Sequence, residues 1–287
     1  MTLQDTAAPR SGAIPTQRAR PALGLRVARG VGWAMIWLGL LTLGFVVHQL
    51  WVTSWLAELN QGKLSTEVEE RFVTAEITPV AVEEGGTIVE PGADPPRSAG
   101  PEGEDIPEPQ VLLVESAPEP HSAFAIVRIP TIERLQEGWN VVSGVRVSDL
   151  KTGAGHMPDT PLPGQPGNAV ISGHRTTYGQ PFHELDMVTP GDRIEVETAL
   201  GTHVYAVRAW EEVVAADPDF AGREVEALPE GGAGVVVRPS ATWVTGPIEG
   251  GWLTLTTCHP RFSASRRLVG FAEMVDGPNA AVIEGSS

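Results

Sequence analysis

The order of apolar and polar residues divides the chain into an apolar N-terminal helix, a polar middle and a C-terminal half made of short strands. Residues 31–51 contain no Asp, Glu, Lys or Arg. About twenty apolar residues in a helix span roughly 30 Å, which is the thickness of the hydrocarbon core of a bilayer. We therefore predict a transmembrane helix over residues 31–54. Its length favours an uncleaved anchor over the shorter apolar core of a signal peptide.

Polar segments flank the predicted helix on both sides. Residues 1–30 carry five arginines and one acid, so we predict a disordered basic tail, which the positive-inside bias places in the cytoplasm. Residues 55–120 carry many more acidic than basic residues and are rich in Pro and Gly. We predict that they form an extracellular stalk that holds the next domain away from the bilayer. Helix-forming residues at 56–72 also allow a short polar helix that extends the anchor.

Beyond residue 120, short apolar stretches alternate with Gly and Pro, which predicts an all-β domain, a barrel or a sandwich, over residues 121–278. The predicted strands cover residues 124–129, 168–172, 192–198, 202–210, 253–257 and 268–274. Single helical turns are predicted at 147–151 and 181–185. Residues 213–250 are a long irregular connection of the kind that often binds a ligand. Residues 279–287 are predicted to be a C-terminal tail.

Alternation along two of these strands predicts which side chains leave the core. Leu253 and Leu255 share one face and suit a core, which turns the residues of the other parity outward, namely Thr254, Thr256 and Cys258. In the last strand Leu268 shares the apolar face with Ala272 and Met274. Arg267 is therefore predicted to project from the outer face of the sheet, and Arg266 is not.

Three polar residues at strand ends have the chemistry that acyl transfer needs. The thiolate of Cys258 is a candidate nucleophile. His174, which follows an apolar strand, can give a proton to a departing amine and accept one from an incoming amine. Arg267 stays protonated and can stabilise an oxyanion. His259 competes with His174 for the role of base, but adjacent residues on a strand point to opposite faces, so we place it behind the site.

The motifs that contain these residues resemble those of a known family. They are Gly173-His174-Arg175, Thr254-Leu255-Thr256-Thr257-Cys258 and Arg266-Arg267-Leu268-Val269. Together they are similar to the sortases, the membrane-anchored cysteine transpeptidases of Gram-positive bacteria, and most similar to the class E branch. The resemblance covers roughly residues 122–274 and the N-terminal anchor. His259 departs from the family pattern, which often has Asn or another polar residue at that place.

The resemblance implies a fold, a set of catalytic residues and a reaction. The implied fold is an eight-stranded β-barrel with short helices, preceded by one transmembrane helix, and the implied catalytic residues are His174, Cys258 and Arg267. Candidates for the substrate groove are Thr256, Thr257 and Arg261. The implied reaction cuts an LPxTG-like or LAxTG-like sorting signal between Thr and Gly and forms a Cys thioester. The implied partners are secreted proteins with such a signal and an amine of a peptidoglycan precursor or pilus subunit.

Composition excludes several other classes of function. The net charge of −16 argues against nucleic acid as a partner, because phosphate binding relies on clustered Lys and Arg. A single cysteine rules out an internal disulfide framework. The spacing of Cys, His and acidic residues matches no zinc or calcium motif, so we predict no metal and no cofactor. The predicted location is the cell membrane, crossed once, with the catalytic domain outside.

Two alternatives remain open from the sequence. One is another anchored transpeptidase, such as an L,D-transpeptidase-like enzyme, although its Ser-x-Gly-Cys type of context is absent. The other is a non-catalytic, membrane-tethered β-domain that binds cell-wall polymer at the end of a stalk. This second alternative predicts an inert thiol that is sealed in the core, since a lone Cys is often a small buried apolar residue.

Overall fold

The computed structural model describes residues 23–82, 110–228 and 231–285, and the chain divides into two units with the boundary between Val47 and His48. The first unit is helix α1 (Leu23–Val47). Within the described residues, Arg26–Val47 is the one helix long and apolar enough to cross a membrane. Residues 1–22 of the predicted tail lie outside the described residues. Residues 23–30 of the predicted tail are helical and belong to α1.

Residues 55–74 of the predicted stalk belong to helix α2 (Thr53–Thr74), which follows a π-helical turn (His48–Val52), so the short helix that the sequence allows at 56–72 is present. One face of α2 is buried, with Ala57 and Val68 1% and 0% exposed. The Gln61 side chain accepts a hydrogen bond from the backbone N–H of Asn140 at 2.9 Å. Apolar residues at 57, 64, 68 and 72 recur at helical spacing. Because charged residues lie between them, the overall composition of the segment is polar and does not indicate an apolar face.

Strand pairing closes the C-terminal half into a barrel. The strands of the described residues are β1 (Ile77–Val82), β2 (Gln110–Glu115), β3 (Ala123–Arg128), β4 (Trp139–Ser143), β5 (Ala154–His156), β6 (Gly167–Ser172), β7 (Arg193–Thr198), β8 (Gly201–Val207), β9 (Glu226–Ala227), β10 (Val235–Val237), β11 (Gly251–His259) and β12 (Arg266–Asp276). Eight of them form a ring in the order β11-β6-β5-β4-β3-β7-β8-β12, which closes through the β11–β12 pair. The short helices are α3 (Val147–Leu150), α4 (Trp210–Ala216) and α5 (Ala280–Glu284). The predicted eight-stranded barrel with short helices is confirmed.

The two faces of β11 and β12 are those that alternation predicts. Leu253, Leu255 and Leu268 are fully buried in the barrel core. On the outer face, Val269 and Phe271 belong to a second apolar cluster, to which residues 210–248 contribute most members. The connection that was predicted to be irregular therefore contains α4, β9 and β10 and forms an apolar layer over the outside of the barrel.

Because of this layer, a side chain on the outer face is not always exposed. Thr254 is 0% exposed, and its hydroxyl donates to the Oδ1 atom of Asn168 at 2.7 Å. Two residues further on, Thr256 is half-buried, and so is Cys258 at the end of β11. The outer face thus becomes accessible only at the end of the strand that carries the cysteine.

Each of the six predicted strands corresponds to an observed strand, with differences at the ends. The strand predicted over 202–210 ends at Val207, because Trp210 begins α4 and its ring stacks on Phe220. The turn predicted at 147–151 is α3, and the turn predicted at 181–185 lies later, as the 3₁₀ turn Leu185–Met187. Strands β4 and β5 were missed, since β4 is buried at all five positions and has no alternation, and β5 has three residues.

The predicted C-terminal tail is wrong over residues 279–285. Asn279 is 0% exposed, and its side chain accepts from the backbone N–H of Leu113 and donates to the carbonyl of Gly164, both at 2.9 Å. Ile283 of α5 is also buried, next to Val82 of β1. β1 and β2 pair with each other in a separate antiparallel sheet, so this part of the predicted stalk is also folded. Residues 83–109 of the predicted stalk lie outside the described residues.

A buried histidine in the barrel predicts loss of stability in acid. His203 is 0% exposed, and burial lowers its pKa to about 4. The ring is therefore neutral in the folded chain but takes up a proton near pH 6.5 when unfolded. This contribution to stability is complete above about pH 6.5 and is lost as pH falls towards 4, in all about 3 kcal/mol. Urea unfolding of the chain in detergent at pH 7 and pH 4 measures it. His203→Gln is expected to flatten the pH dependence, and an unchanged dependence would contradict this assignment.

Candidate active site

The register of the last two strands brings the cysteine and an arginine together. Cys258 on β11 lies directly opposite Arg267 on β12 in the antiparallel pair. Residues that are directly opposite share a face and have Cβ atoms about 5 Å apart. The thiol of Cys258 is free and half-buried. The Nη1 group of Arg267 donates to the carbonyls of Ala264 and Arg266, both at 3.0 Å, which fixes the guanidinium at this end of the barrel.

The third candidate, His174, follows the strand on the other side of β11. β6 and β11 run parallel, with Ser172 opposite Thr256. The pairing continues past the strand end, because the N–H of Gly173 donates to the carbonyl of Thr256 at 3.0 Å. Two residues beyond this pair are His174 on one chain segment and Cys258 on the other. The structure therefore brings all three predicted residues to the same end of the barrel, with Cys258 on β11, Arg267 on β12 and His174 just after the end of β6.

The surroundings of His174 favour its neutral form. Its ring lies 5.0 Å from the ring of Tyr178, and the Nζ atom of Lys151 lies 5.5 Å from the Tyr178 ring centre. Burial lowers the pKa of His174 below its ordinary value of 6.5, and the positive charge of Lys151 lowers it further. His174 can therefore accept a proton near neutral pH. Its Nε2 atom is buried and has no hydrogen-bond partner within the described residues.

The three groove candidates differ in their surroundings. Thr257 is 3% exposed, and its hydroxyl donates to the carbonyl of Gly173 at 2.7 Å, so it braces the β6–β11 contact and does not line a groove. Thr256 is half-buried, and its hydroxyl shares a hydrogen bond with Ser172 at 2.8 Å. Arg261 is exposed and pairs with Asp186 at 3.2 Å. A role in a groove stays a prediction for Thr256 and Arg261 only.

Sequence reasoning missed an ionic network behind these residues. Arg175 is almost fully buried and pairs with Asp186 at 2.7 Å. It also makes a 2.7 Å hydrogen bond to the Nδ1 atom of His259. The sequence did carry a signal for it, because Arg175 is the third residue of the Gly173-His174-Arg175 motif. A charged residue beside a candidate base needs a counter-charge if folding buries it, so this Arg indicated that an acidic partner lies nearby.

Across residues 23–82, 110–228 and 231–285, no group of three or more His, Cys, Asp and Glu is placed to hold a metal ion.

Sequence comparisons match the β domain to a known family. A family model described as the sortase domain matches residues 129–275, just over half of the chain. Sortase SrtE1 of Streptomyces coelicolor is 25% identical over a 279-residue alignment that covers 90% of this chain and 60% of that protein. Sortase SrtE2 of the same organism is 25% identical over a 266-residue alignment that covers 90% of this chain and 86% of that protein. The chain thus spans about 60% of the length of SrtE1.

Solved structures give similar matches. The SrtF sortase from Corynebacterium diphtheriae has 30% identity and a TM-score of 0.47, with 56% of this chain and 88% of that chain covered. Sortase E1 from Streptomyces coelicolor, solved with a tripeptide in its active site, has 27% identity and a TM-score of 0.43, with 57% and 96% covered. The predicted resemblance to sortases of class E is confirmed by the two sequence relatives, SrtE1 and SrtE2. Because the family model covers more than half of its residues, this chain belongs to the sortase family.

Proposed function

We propose that the chain is a membrane-anchored cysteine transpeptidase that cuts an LPxTG-like or LAxTG-like sorting signal between Thr and Gly. The observation that carries the proposal is the register that places Cys258 directly opposite Arg267, with His174 in the loop that directly follows the adjoining strand β6. Membership of the sortase family supports the same reaction class. The other substrate is an amine of a peptidoglycan precursor or of a pilus subunit.

The proposed reaction uses one thiol, one imidazole and one guanidinium. The sulfur of Cys258 attacks the carbonyl carbon of the Thr residue while neutral His174 takes the thiol proton. Arg267 donates hydrogen bonds to the oxyanion of the tetrahedral intermediate. The C–N bond breaks, and the amine of Gly leaves with the proton from His174. The acyl group is now a thioester on Cys258.

The second half of the proposed reaction reverses the proton flow. An incoming amine attacks the thioester carbonyl and passes a proton to His174. The C–S bond breaks, the thiolate of Cys258 is protonated again by His174, and a new amide has formed. Water would give hydrolysis at the same step, so the accessible end of β11 has to favour the amine over water.

The proposed location follows from the N-terminal helix. Arg26–Val47 is long and apolar enough to cross a membrane, and the basic segment before it supports a cytoplasmic N-terminus. A single span would hold the catalytic domain, which we place at residues 121–278, at the outer surface of the membrane. Secreted proteins with a sorting signal would meet the enzyme there.

The non-catalytic alternative predicts a thiol sealed in the core. Cys258 is instead half-buried at the end of β11. This position favours the enzyme over a wall-binding domain, because a nucleophile has to reach a solvent-accessible substrate.

The proposed function is tested by incubating the full chain in detergent micelles with a library of five-residue sorting peptides and a small peptide amine. Mass spectrometry identifies both the acyl-enzyme and the transfer product. We expect a product in which the amine has replaced Gly after Thr, and a mass increase on Cys258 when the amine is left out. Release of no product from any peptide, together with no acyl-enzyme, would contradict the proposal.

A further inference from the structure

Arg175 is a charged residue in a buried position, where the loss of solvation of its charge costs free energy. Its side chain is 2% exposed, although it directly follows His174 in the loop after β6. A buried charge needs a close counter-charge and hydrogen bonds to its remaining donors. The reaction steps above give Arg175 no role, so its burial calls for a separate explanation.

The partners of Arg175 come from three different segments around the site. Its Nη2 atom pairs with the carboxylate of Asp186 at 2.7 Å, on the 3₁₀ turn that ends the loop carrying His174. Its Nη1 atom bonds the Nδ1 atom of His259 at 2.7 Å and lies 3.4 Å from the carbonyl oxygen of Cys258. Within its own loop, the Nε atom donates to the carbonyl of His183 at 3.4 Å. One guanidinium thus joins the loop of His174 to the end of β11.

We propose that Arg175 is a positioning residue that clamps the loop carrying His174 to the strand end carrying Cys258, through Asp186 on one side and His259 on the other. This inference rests on the proposed function, because it concerns the spacing of the same nucleophile and base. Arg175 itself touches neither substrate nor sulfur. A misplacement of about 1 Å between reacting groups costs about a hundredfold in rate, which is why such a clamp matters.

The clamp determines the chemical state of His259. A guanidinium has only donors, so the Nδ1 atom of His259 must be the acceptor of the 2.7 Å bond and its Nε2 atom carries the hydrogen. Burial lowers the pKa of His259, and the charge of Arg175 lowers it further, against the opposite effects of Asp186 and Glu226. Arg266, directly across on β12, is the remaining charged neighbour named by the strand register. His259 is therefore a neutral hydrogen-bond acceptor and not a second cation beside the thiol.

Asp186 extends the clamp to the loop that follows the cysteine. Its carboxylate pairs with Arg175 on one side and with Arg261 on the other, at 2.7 and 3.2 Å. Arg261 is exposed, so its pair with Asp186 is screened by water and contributes less than the buried pair. Substitution of Arg175 is therefore expected to lower activity more than substitution of Arg261.

The test uses the full chain in detergent micelles and two matched variants of His259. His259→Asn can place an acceptor oxygen near the position of Nδ1, whereas His259→Leu removes the acceptor and keeps a similar volume. We expect His259→Leu and Arg175→Lys each to lower kcat by about 10- to 100-fold with KM within about threefold. His259→Asn is expected to keep a kcat at least about tenfold above that of His259→Leu. Arg208→Lys is the control for an Arg-to-Lys change, because Arg208 pairs with Glu212 and with Glu273 six residues along β12 from Arg267, and this variant should match the unmodified chain.

A second readout does not depend on activity. In chain labelled with ¹⁵N-histidine, the nitrogen shifts of His259 should show an unprotonated Nδ1 and a protonated Nε2 at pH 7, and Arg175→Lys should remove this single-tautomer signal. Thermal unfolding separates a lost clamp from a lost fold. Equal kcat for His259→Asn and His259→Leu, an unchanged kcat in Arg175→Lys, or a protonated Nδ1 in the unmodified chain would each overturn the inference. If the unmodified chain transfers no acyl group, the proposed function fails, and the nitrogen shifts alone then decide whether the clamp exists.

Discussion

Cys258→Ala is expected to abolish acyl transfer, with no product above an enzyme-free control. The alanine has no nucleophile, and no other cysteine in the chain can replace it. Neutral His174 would still be present next to the site, but it would have no thiol proton to take and no thioester to resolve. The measurement is the peptide and amine assay, read by mass spectrometry both for the product and for an acyl group on the chain.

The control for this loss is labelling of Cys258 with a thiol reagent in the chain that carries no substitution. Because Cys258 is the sole cysteine, a thiol reagent should add one label per chain and stop transfer in proportion to labelling. Cys258→Ala should take up no label and should unfold at nearly the same temperature, since a half-buried thiol contributes little packing. Transfer that survives in Cys258→Ala, or in fully labelled chain, would rule out a cysteine nucleophile.

The faces of the catalytic strands could be predicted from sequence because they depend on local geometry. Successive strand residues alternate between the two sides of a sheet, so placing Leu253 and Leu255 in the core decided the side of Cys258. The same rule separated Arg267 from Arg266 on the next strand. The structure agrees with both assignments, with the leucines fully buried in the barrel core.

The covering of those faces could not be predicted in the same way. Thr254 lies on the outer face yet is fully buried, because the segment from α4 to residue 248 packs over it. The sequence predicts that this segment is irregular because its helices and strands are each short. Its apolar residues therefore follow no single hydrophobic periodicity. The helix α2 was allowed by its sequence, but its burial was not predicted, since its buried face is defined by partners distant in sequence.

The candidate site was predictable in its members but not in its support. His174, Cys258 and Arg267 each lie in a recognisable motif within two residues of a strand end. Their convergence depends on register, which places Ser172 beside Thr256 and Cys258 opposite Arg267. The buried charge of Arg175 depends on contacts across more than eighty residues to His259, and no local pattern reports such a pair. Register and long-range ion pairs are therefore the features of the site that only the folded structure shows.

Arg267→Lys is expected to lower kcat/KM by about a hundredfold or more, whereas Arg266→Lys stays within about threefold. The reason is geometric, because a Lys ammonium is a point charge and cannot place two donors in one plane as the guanidinium does. Loss of one donor to an oxyanion costs about 100- to 1000-fold in other acyl-transfer enzymes. Arg267 lies directly opposite the nucleophile, while Arg266 lies opposite His259 and has the other parity.

The matched pair of variants makes this a test of the strand geometry as well as of the chemistry. Both changes keep the charge of the chain, and both residues are half-buried, so differences in net charge or gross exposure cannot explain unequal losses. The assay is kcat/KM for one sorting peptide with a fixed amine, with thermal unfolding of each variant beside it. The loss should appear in acyl-enzyme formation, because the first oxyanion forms there. Equal losses in the two variants would mean that Arg267 has no special place beside the thiol, and the oxyanion would then need another donor.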